Sequence, residues 1–178
     1  MKILIASDVH GSLPVAKRII NRAKEENATR IILLGDVYYH GPRNPLPEGY
    51  APLEVAEVLN ETENLAVLKG NCDAEVDQMI SKFRFVDGIL EVDDGEKRLL
   101  FTHGHVYSRE NLPEGAFDLL CYGHFHTAFI ETDGNGHTFA NPGSPSLPKD
   151  GFSGYLVYEN GRLTLKTLDG EEVKTVLI

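Results

Sequence analysis

The chain has 178 residues, 42% of them hydrophobic, with two cysteines and a formal charge of −10. Such a length fits one domain over residues 1–178 with a buried core, and the acidity argues against a nucleic-acid groove, which draws its affinity from Lys and Arg. No apolar run reaches the ~20 residues that cross a bilayer, Met1–Ala6 is too short for a secretory signal, and Cys72 and Cys121 form no disulfide framework, so a cytoplasmic setting without a membrane partner is expected.

Lys2–Ser7 carries Ile3, Leu4, Ile5 and Ala6 in one run and reads as a buried strand. Leu13–Glu26 follows with Leu13, Ala16, Ile19, Ile20 and Ala23 at helical spacing. Ser12 is placed to cap this helix, and Pro14 falls in its first turn, where a missing N–H is harmless. A strand over Arg30–Leu34, a helix over Pro52–Leu59 and a strand over Leu65–Lys69 complete a β-α-β-α-β order, which implies parallel strands covered by helices. Within it, Tyr38–Ala51 is rich in Pro and Gly; an irregular loop of that length is usually functional or mobile.

After a short helical piece near Asp73–Ile80, the pattern changes to hairpins and single strands. These are Gly88–Val92, Arg98–Thr102, Leu119–Tyr122, Ala128–Thr132, His137–Ala140, Tyr155–Glu159, Arg162–Leu168 and Val173–Leu177. Turn signals such as Asp93-Asp94-Gly95-Glu96 and Asp133-Gly134-Asn135-Gly136 separate them. The expected fold class is α/β: two packed sheets with helices outside, in one domain rather than two.

Five polar clusters close apolar runs: Asp8-Val9-His10, Gly35-Asp36, Gly70-Asn71-Cys72-Asp73, Thr102-His103-Gly104-His105 and Gly123-His124-Phe125-His126. Ligand sites in α/β sheets lie outside the carboxyl ends of strands, so all five should converge on one edge. Asp8 and His10, at i and i+2, share a side if the backbone stays extended, and one metal could then collect an oxygen and a nitrogen. Asp36 has two carboxylate oxygens and can bridge two cations, with Gly35 allowing close backbone approach. Asn71 offers a neutral carbonyl oxygen, and His103, His124 and His126 complete two mixed sets suited to Mn, Fe, Co, Ni or Zn rather than Ca or Mg.

Taken singly, each cluster has a plain structural explanation: Asp-x-His as a cap before a helix, Gly-Asp as a turn, His-Gly-His as a loop. Their conjunction favours a two-metal site. Two carboxylates against two divalent cations leave about +2, enough to bring a bridging water near pKa 7 for in-line attack on phosphorus.

In that order the motifs resemble the calcineurin-like metallophosphoesterase superfamily over nearly the whole chain. His40-Gly41-Pro42-Arg43-Asn44, Pro47-Glu48-Gly49-Tyr50-Ala51-Pro52 and Glu75-Val76-Asp77-Gln78-Met79 further resemble its YfcE-type bacterial phosphodiesterases. The resemblance implies a metallophosphoesterase β-sandwich of two mixed sheets flanked by helices. It implies hydrolysis of small phosphodiesters by a di-metal-activated hydroxide, with manganese as the metal. Asp8, His10, Asp36 and His126 would hold one ion, and Asp36, Asn71, His103 and His124 the other; Asp36, Asn71 and His103 are the catalytic candidates. A phosphomonoesterase or nucleotidase is the close alternative. The retromer scaffold subunit, which shares the fold, supplies another, a protein-interaction platform. A homodimer or homotetramer also fits the resemblance.

Cys72 stands where most of the superfamily carries a His near the leaving group. A thiol is a weak donor with pKa near 8.5, so acidic leaving groups should be handled best. Cys72 could equally be a small filler behind the site. His105 is left for the substrate phosphate or for a hydrogen bond within its turn. Arg43 could grip a phosphate bidentately, or belong with His40 to a structural or oligomer-contact loop. Asn141-Pro142-Gly143-Ser144 resembles the family's turn beside the site, expected to shape the backbone first and to contact substrate second; His137 and Cys121 read as strand residues, and Asp73 is expected to cap a helix from Ala74 and orient the Asn71 turn.

Overall fold

The computed structural model describes all 178 residues, Met1 to Ile178. Strand β1 (Lys2–Ala6) alternates its side chains across a sheet: Ile3 and Ile5 face one side, Leu4 and Ala6 the other, and all four are fully buried. Helix α1 (Leu13–Glu25) carries the chain back to β2 (Arg30–Leu33), and α2 (Pro52–Asn60) to β3 (Leu65–Leu68). Strands β1, β2 and β3 pair in parallel, as the β-α-β-α-β reading requires. The buried stripe of α1 is Ala16, Ile19, Ile20 and Ala23, four of the five residues its spacing marks.

A four-residue helix, α3 (Asp77–Ile80), precedes β4 (Phe85–Val86), a two-residue strand too short to leave a pattern. Then follow β5 (Ile89–Asp93), β6 (Arg98–Thr102), β7 (Leu119–Tyr122), β8 (Ala128–Thr132), β9 (Thr138–Pro142), β10 (Gly154–Glu159), β11 (Arg162–Thr167) and β12 (Glu172–Leu177). They divide between two mixed sheets, ordered β12-β11-β10-β1-β2-β3-β4 and β5-β6-β7-β9-β8. The last three strands thus join the first sheet, with β10 antiparallel to β1.

The two sheets face each other across Ile3, Ile5, Ile32 and Leu34 from one side and Leu99, Phe101, Leu119, Cys121 and Ala140 from the other. Each fully buried aliphatic side chain there contributes about 1.5–3 kcal/mol. The helices cover one flank only: α1 and α2 lie on the outer face of the seven-stranded sheet, against Leu4, Ala6 and Leu33. The outer face of the five-stranded sheet is covered by Phe117 with Leu100, Leu120, Tyr122 and Phe139. No helix is long and apolar enough to cross a membrane.

Two local expectations fail. Ser12 does not cap α1; its hydroxyl donates to Glu48 O at 2.7 Å and ties down the 38–51 loop, which holds no helix or strand. Asp73 does not cap a helix from Ala74, because α3 starts only at Asp77.

Candidate metal centre

The turns after β1, β2, β3, β6 and β7 meet at one edge of the sandwich, as the strand-end rule anticipates. Asp8 and His10 do not leave β1 extended: both are left-handed, at φ 53° and 51°, and so are Asp36 (54°), His124 (67°) and His126 (58°). The backbone curls and still delivers both side chains to the centre. Each left-handed non-glycine costs about 1–3 kcal/mol and persists where its surroundings over-determine it.

Those surroundings are visible. Asp8 O accepts from Ser144 Oγ (2.8 Å) and Ser146 Oγ (2.9 Å), while Asn141 Nδ2 donates to Gly123 O at 2.8 Å. The Asn141-Pro142-Gly143-Ser144 turn therefore shapes the backbone beside the site. Asp73 is a clamp: its buried carboxylate accepts from Asp36 N (2.7 Å), Val37 N (2.8 Å) and Gly70 N (2.7 Å). Burial and the Asp36 charge outweigh these donors and push its pKa up to about 6. The strands approach closely enough that a Cβ on Gly35 would meet Gly70 N at 2.6 Å, and one on Gly70 would strike Asp36 Oδ1.

The inward-facing atoms form overlapping groups that share Asp8, His10 and Asp36. His126 Nε2 lies 3.3 Å from Asp8 Oδ1, and His10 Nε2 lies 3.7 Å from the same oxygen. Asp36 turns Oδ2 toward His10 Nε2 (3.9 Å) and Oδ1 toward His103 Nε2 (3.4 Å). Asn71 Oδ1 lies 3.0 Å from His103 Nε2. Donor atoms of Asp8, His10 and His126 fall within 4.8 Å of one another, as do those of Asp8, Asp36 and His103, and those of His10, Asp36 and Cys72.

The donor chemistry fits cations. His10, His103 and His126 each direct Nδ1 to a backbone carbonyl, of Tyr39 (2.8 Å), Leu34 (2.9 Å) and Leu147 (2.8 Å). A carbonyl only accepts, so each Nδ1 carries a proton, and each ring would offer its Nε2 lone pair to a cation that displaces any proton held there. The Nε2 atoms of His10 and His126 are 3.1 Å apart, and two such lone pairs repel unless a proton or a metal ion lies between them. Asp8 Oδ1 is fully buried and lacks a hydrogen bond, although Oδ2 accepts from His124 N at 2.9 Å. A bare buried carboxylate oxygen is costly without a charge partner.

The electrostatics agree. Burial pushes the Asp36 carboxyl up, but the hydrogen bond and charge of His103 outweigh it and hold Asp36 below the usual carboxylate range. His103 is driven down by burial and up more strongly by Asp36 and Asp8, to about 9. His126 is raised because Asp8 outweighs its burial, whereas burial lowers His10 and His124.

His124 stands beside His103, ring centroids 5.3 Å apart, with no polar partner for its own ring. His105 is exposed, 5.3 Å from the His103 ring, and makes no hydrogen bond within its turn. Outside the centre, a cleft of about 510 Å³ is lined by Asp36, Arg43, Asn71, Cys72, His124 and His126, joined by Phe125 and Lys149. Arg43 and Cys72 thus face the site, so Cys72 is no filler behind it. Its N–H donates to Asp36 Oδ1 at 2.8 Å, and burial and the Asp36 charge push its thiol up to about 12. His40 packs between Tyr39 and Tyr50 and serves the loop. A larger groove of about 580 Å³ beside Lys17, Lys24, Val58 and Glu61 holds no histidine.

Sequence reasoning placed Asp73 at the Asn71 turn, where it bonds Gly70 N, but missed its reach to the Asp36 turn, as it missed Phe125, Lys149 and Ser146. Phe125 alone carried a signal, lying between two ligand-type histidines.

A calcineurin-like phosphoesterase superfamily domain matches residues 1–161. The chain is 43% identical over 176 residues to phosphodiesterase YfcE of Escherichia coli, covering 97% of this chain and 95% of that one. A phosphodiesterase of Methanocaldococcus jannaschii is 27% identical over 139 residues, 74% of this chain and 76% of the relative. The solved structure of YfcE, described as a phosphoesterase from E. coli, superposes over all of both chains with TM-score 0.94 and 42% identity. Vps29 of Entamoeba histolytica, solved with Zn²⁺, covers 99% of each chain with TM-score 0.62 and shares the fold at 18% identity. With overlapping donor groups gathered around Asp8, His10 and Asp36 and this breadth of similarity, the chain belongs to the calcineurin-like phosphoesterase superfamily.

Proposed function

We propose that the chain is a dinuclear metal-dependent phosphodiesterase acting on small phosphodiesters. Membership of the superfamily implies divalent ions, and the observation that carries the dinuclear reading is Asp36, whose two oxygens face His10 and His103 separately. Asp8, His10, Asp36 and His126 would hold one ion, and Asp36, Asn71, His103 and His124 the other. Manganese is the metal suggested by the likeness to YfcE-type enzymes, and the mixed nitrogen and oxygen donors also suit Zn, Fe, Co or Ni. Such ions supply Lewis acidity toward the phosphoryl group and bring water toward a pKa near 7.

The chain's own residues set the rest. Asp36 and Asp8 balance part of the cationic charge, and His103 and Asn71 fix the second position. His105, exposed beside His103, contacts the phosphoryl group, and Arg43 meets the substrate from the cleft. Cys72 holds its proton at neutral pH and donates weakly, so no strong acid serves the leaving group. Acidic alcohols, which depart without protonation, are the preferred leaving groups. Cys72→His should raise kcat for esters of poor leaving groups at least ten-fold, since a placed general acid is worth about 10²–10⁴; stopped assays on alkyl aryl diesters, following loss of the alkyl group, measure it.

The test of the whole reading is a panel of aryl diesters, aryl monoesters and cyclic nucleotides with added Mn²⁺. Aryl diesters should be turned over fastest. Preference for monoesters would instead favour a phosphomonoesterase or nucleotidase, and no turnover with metal bound would favour the protein-interaction scaffold. Retention of all seven candidate ligands supports catalysis over the scaffold. The protein works in this reading as one cytoplasmic domain over 1–178, as a homodimer or homotetramer, without nucleic acid or membrane.

A further inference from the structure

The cleft carries more recognition chemistry than a bare phosphodiester needs. Phe125 is the one aromatic carbocycle in its lining, and it is 43% exposed. The ring is fixed rather than loose: Tyr122 meets it at 5.9 Å and 74°, His124 at 5.2 Å and 77°, and its N–H donates to Gly123 O at 2.8 Å. An exposed, pre-positioned aromatic face is a stacking platform for a flat ring. Arg43 and Lys149 line the same cleft, and neither side chain makes an ion pair or hydrogen bond within the protein. Asp36 is the only carboxylate in the lining, so no other acidic side chain there offsets the two cations. A diester brings one negative charge, which the metal centre already accommodates, so two further unpaired cations match a second anionic group.

We propose that this cleft is a subsite for a nucleotide-like group on the non-leaving side of the diester: a planar ring stacks on Phe125, and a second anion sits between Arg43 and Lys149. The inference rests on the phosphodiesterase reading and extends it to a substrate class, diesters of phosphorylated nucleosides or similar anionic ring alcohols.

Three p-nitrophenyl diesters test it, with the second alcohol being methanol, thymidine through its 5′-oxygen, or the same thymidine bearing a 3′-phosphate. kcat/KM should rise about ten-fold for the ring and about ten-fold again for the phosphate. The ratio of thymidyl to methyl ester should fall toward one in Phe125→Ala and persist in Phe125→Trp. The gain from the 3′-phosphate should vanish in Lys149→Gln while the ring gain remains. Calorimetry with thymidine 3′,5′-bisphosphate, which has no acidic leaving group, should give a Kd about ten-fold weaker in Phe125→Ala and in Lys149→Gln. Equal kcat/KM for all three esters would overturn the subsite and leave the phosphodiesterase intact. No turnover of any ester with Mn²⁺ would overturn the phosphodiesterase, and the subsite would then fall if the bisphosphate bound both variants as tightly as the parent.

Discussion

Asp36→Ala should abolish hydrolysis and reduce metal content in the same protein. Asp36 turns its two oxygens toward separate histidines, Oδ2 toward His10 and Oδ1 toward His103. In the dinuclear reading each ion would lose a ligand without it, and the negative charge shared between them would disappear. Charge stabilisation by a metal pair is worth several kcal/mol, so kcat on an aryl diester should fall by about 10³-fold or more. Asp36→Asn keeps the volume and one neutral carbonyl oxygen; it should retain the fold and at most one ion, with a comparable loss of rate. Elemental analysis alongside kinetics separates lost metal from lost chemistry. Wild-type turnover in either variant would refute the bridging role.

Asp73→Ala should be the most damaging substitution among the residues that never meet substrate. The carboxylate satisfies three backbone N–H groups on two turns, and removing it strands Asp36 N, Val37 N and Gly70 N around a buried site. At about 1–3 kcal/mol for each unsatisfied buried group, partly offset by water, the loss should be about 3–5 kcal/mol. For a chain of this size that lowers Tm by about 10 °C. A helix-capping role would have cost only about 1 kcal/mol. Asp77→Ala is the internal comparison, since Asp77 Oδ2 accepts from Ala74 N at the protein surface; it should shift Tm by no more than a few degrees. Equal shifts for the two variants would contradict the clamp. The activity of Asp73→Ala should fall as well, because the left-handed turn at Asp36 depends on those bonds.

The contrast between Asp36 and Asp73 shows which parts of the site are legible in sequence. A ligand at the end of an apolar run is marked by its position, and Asp8, Asp36, Asn71, His103 and His124 all stand just past a strand. Strand β1 announces itself because both its faces are buried, so Ile3 to Ala6 are uniformly apolar. What Asp73 does is set by atoms 37 and 36 residues away, on the Asp36 turn, and nothing in Cys72-Asp73-Ala74 distinguishes a clamp from a cap. The same holds for β10: its apolar alternation identifies a strand, but its pairing with β1 across the length of the chain is a global choice of partner. Ser12 has the right residue type for a cap and the right backbone, yet Glu48 O captures its hydroxyl. The left-handed turns at Asp8 and His10 are likewise invisible locally, because Asp-x-His with Gly11 following suits an extended exit equally well. Lys149 is a surface lysine in any one-dimensional reading, and only the fold brings it to the cleft with Arg43.

The central claim is that two donor groups sharing Asp36 hold two ions. It is tested most directly by reconstituting the protein with Mn²⁺, removing unbound metal and measuring metal per chain by elemental analysis. The account predicts about two ions per chain, falling to one or none in Asp36→Ala. One ion or none in the unaltered protein would contradict it.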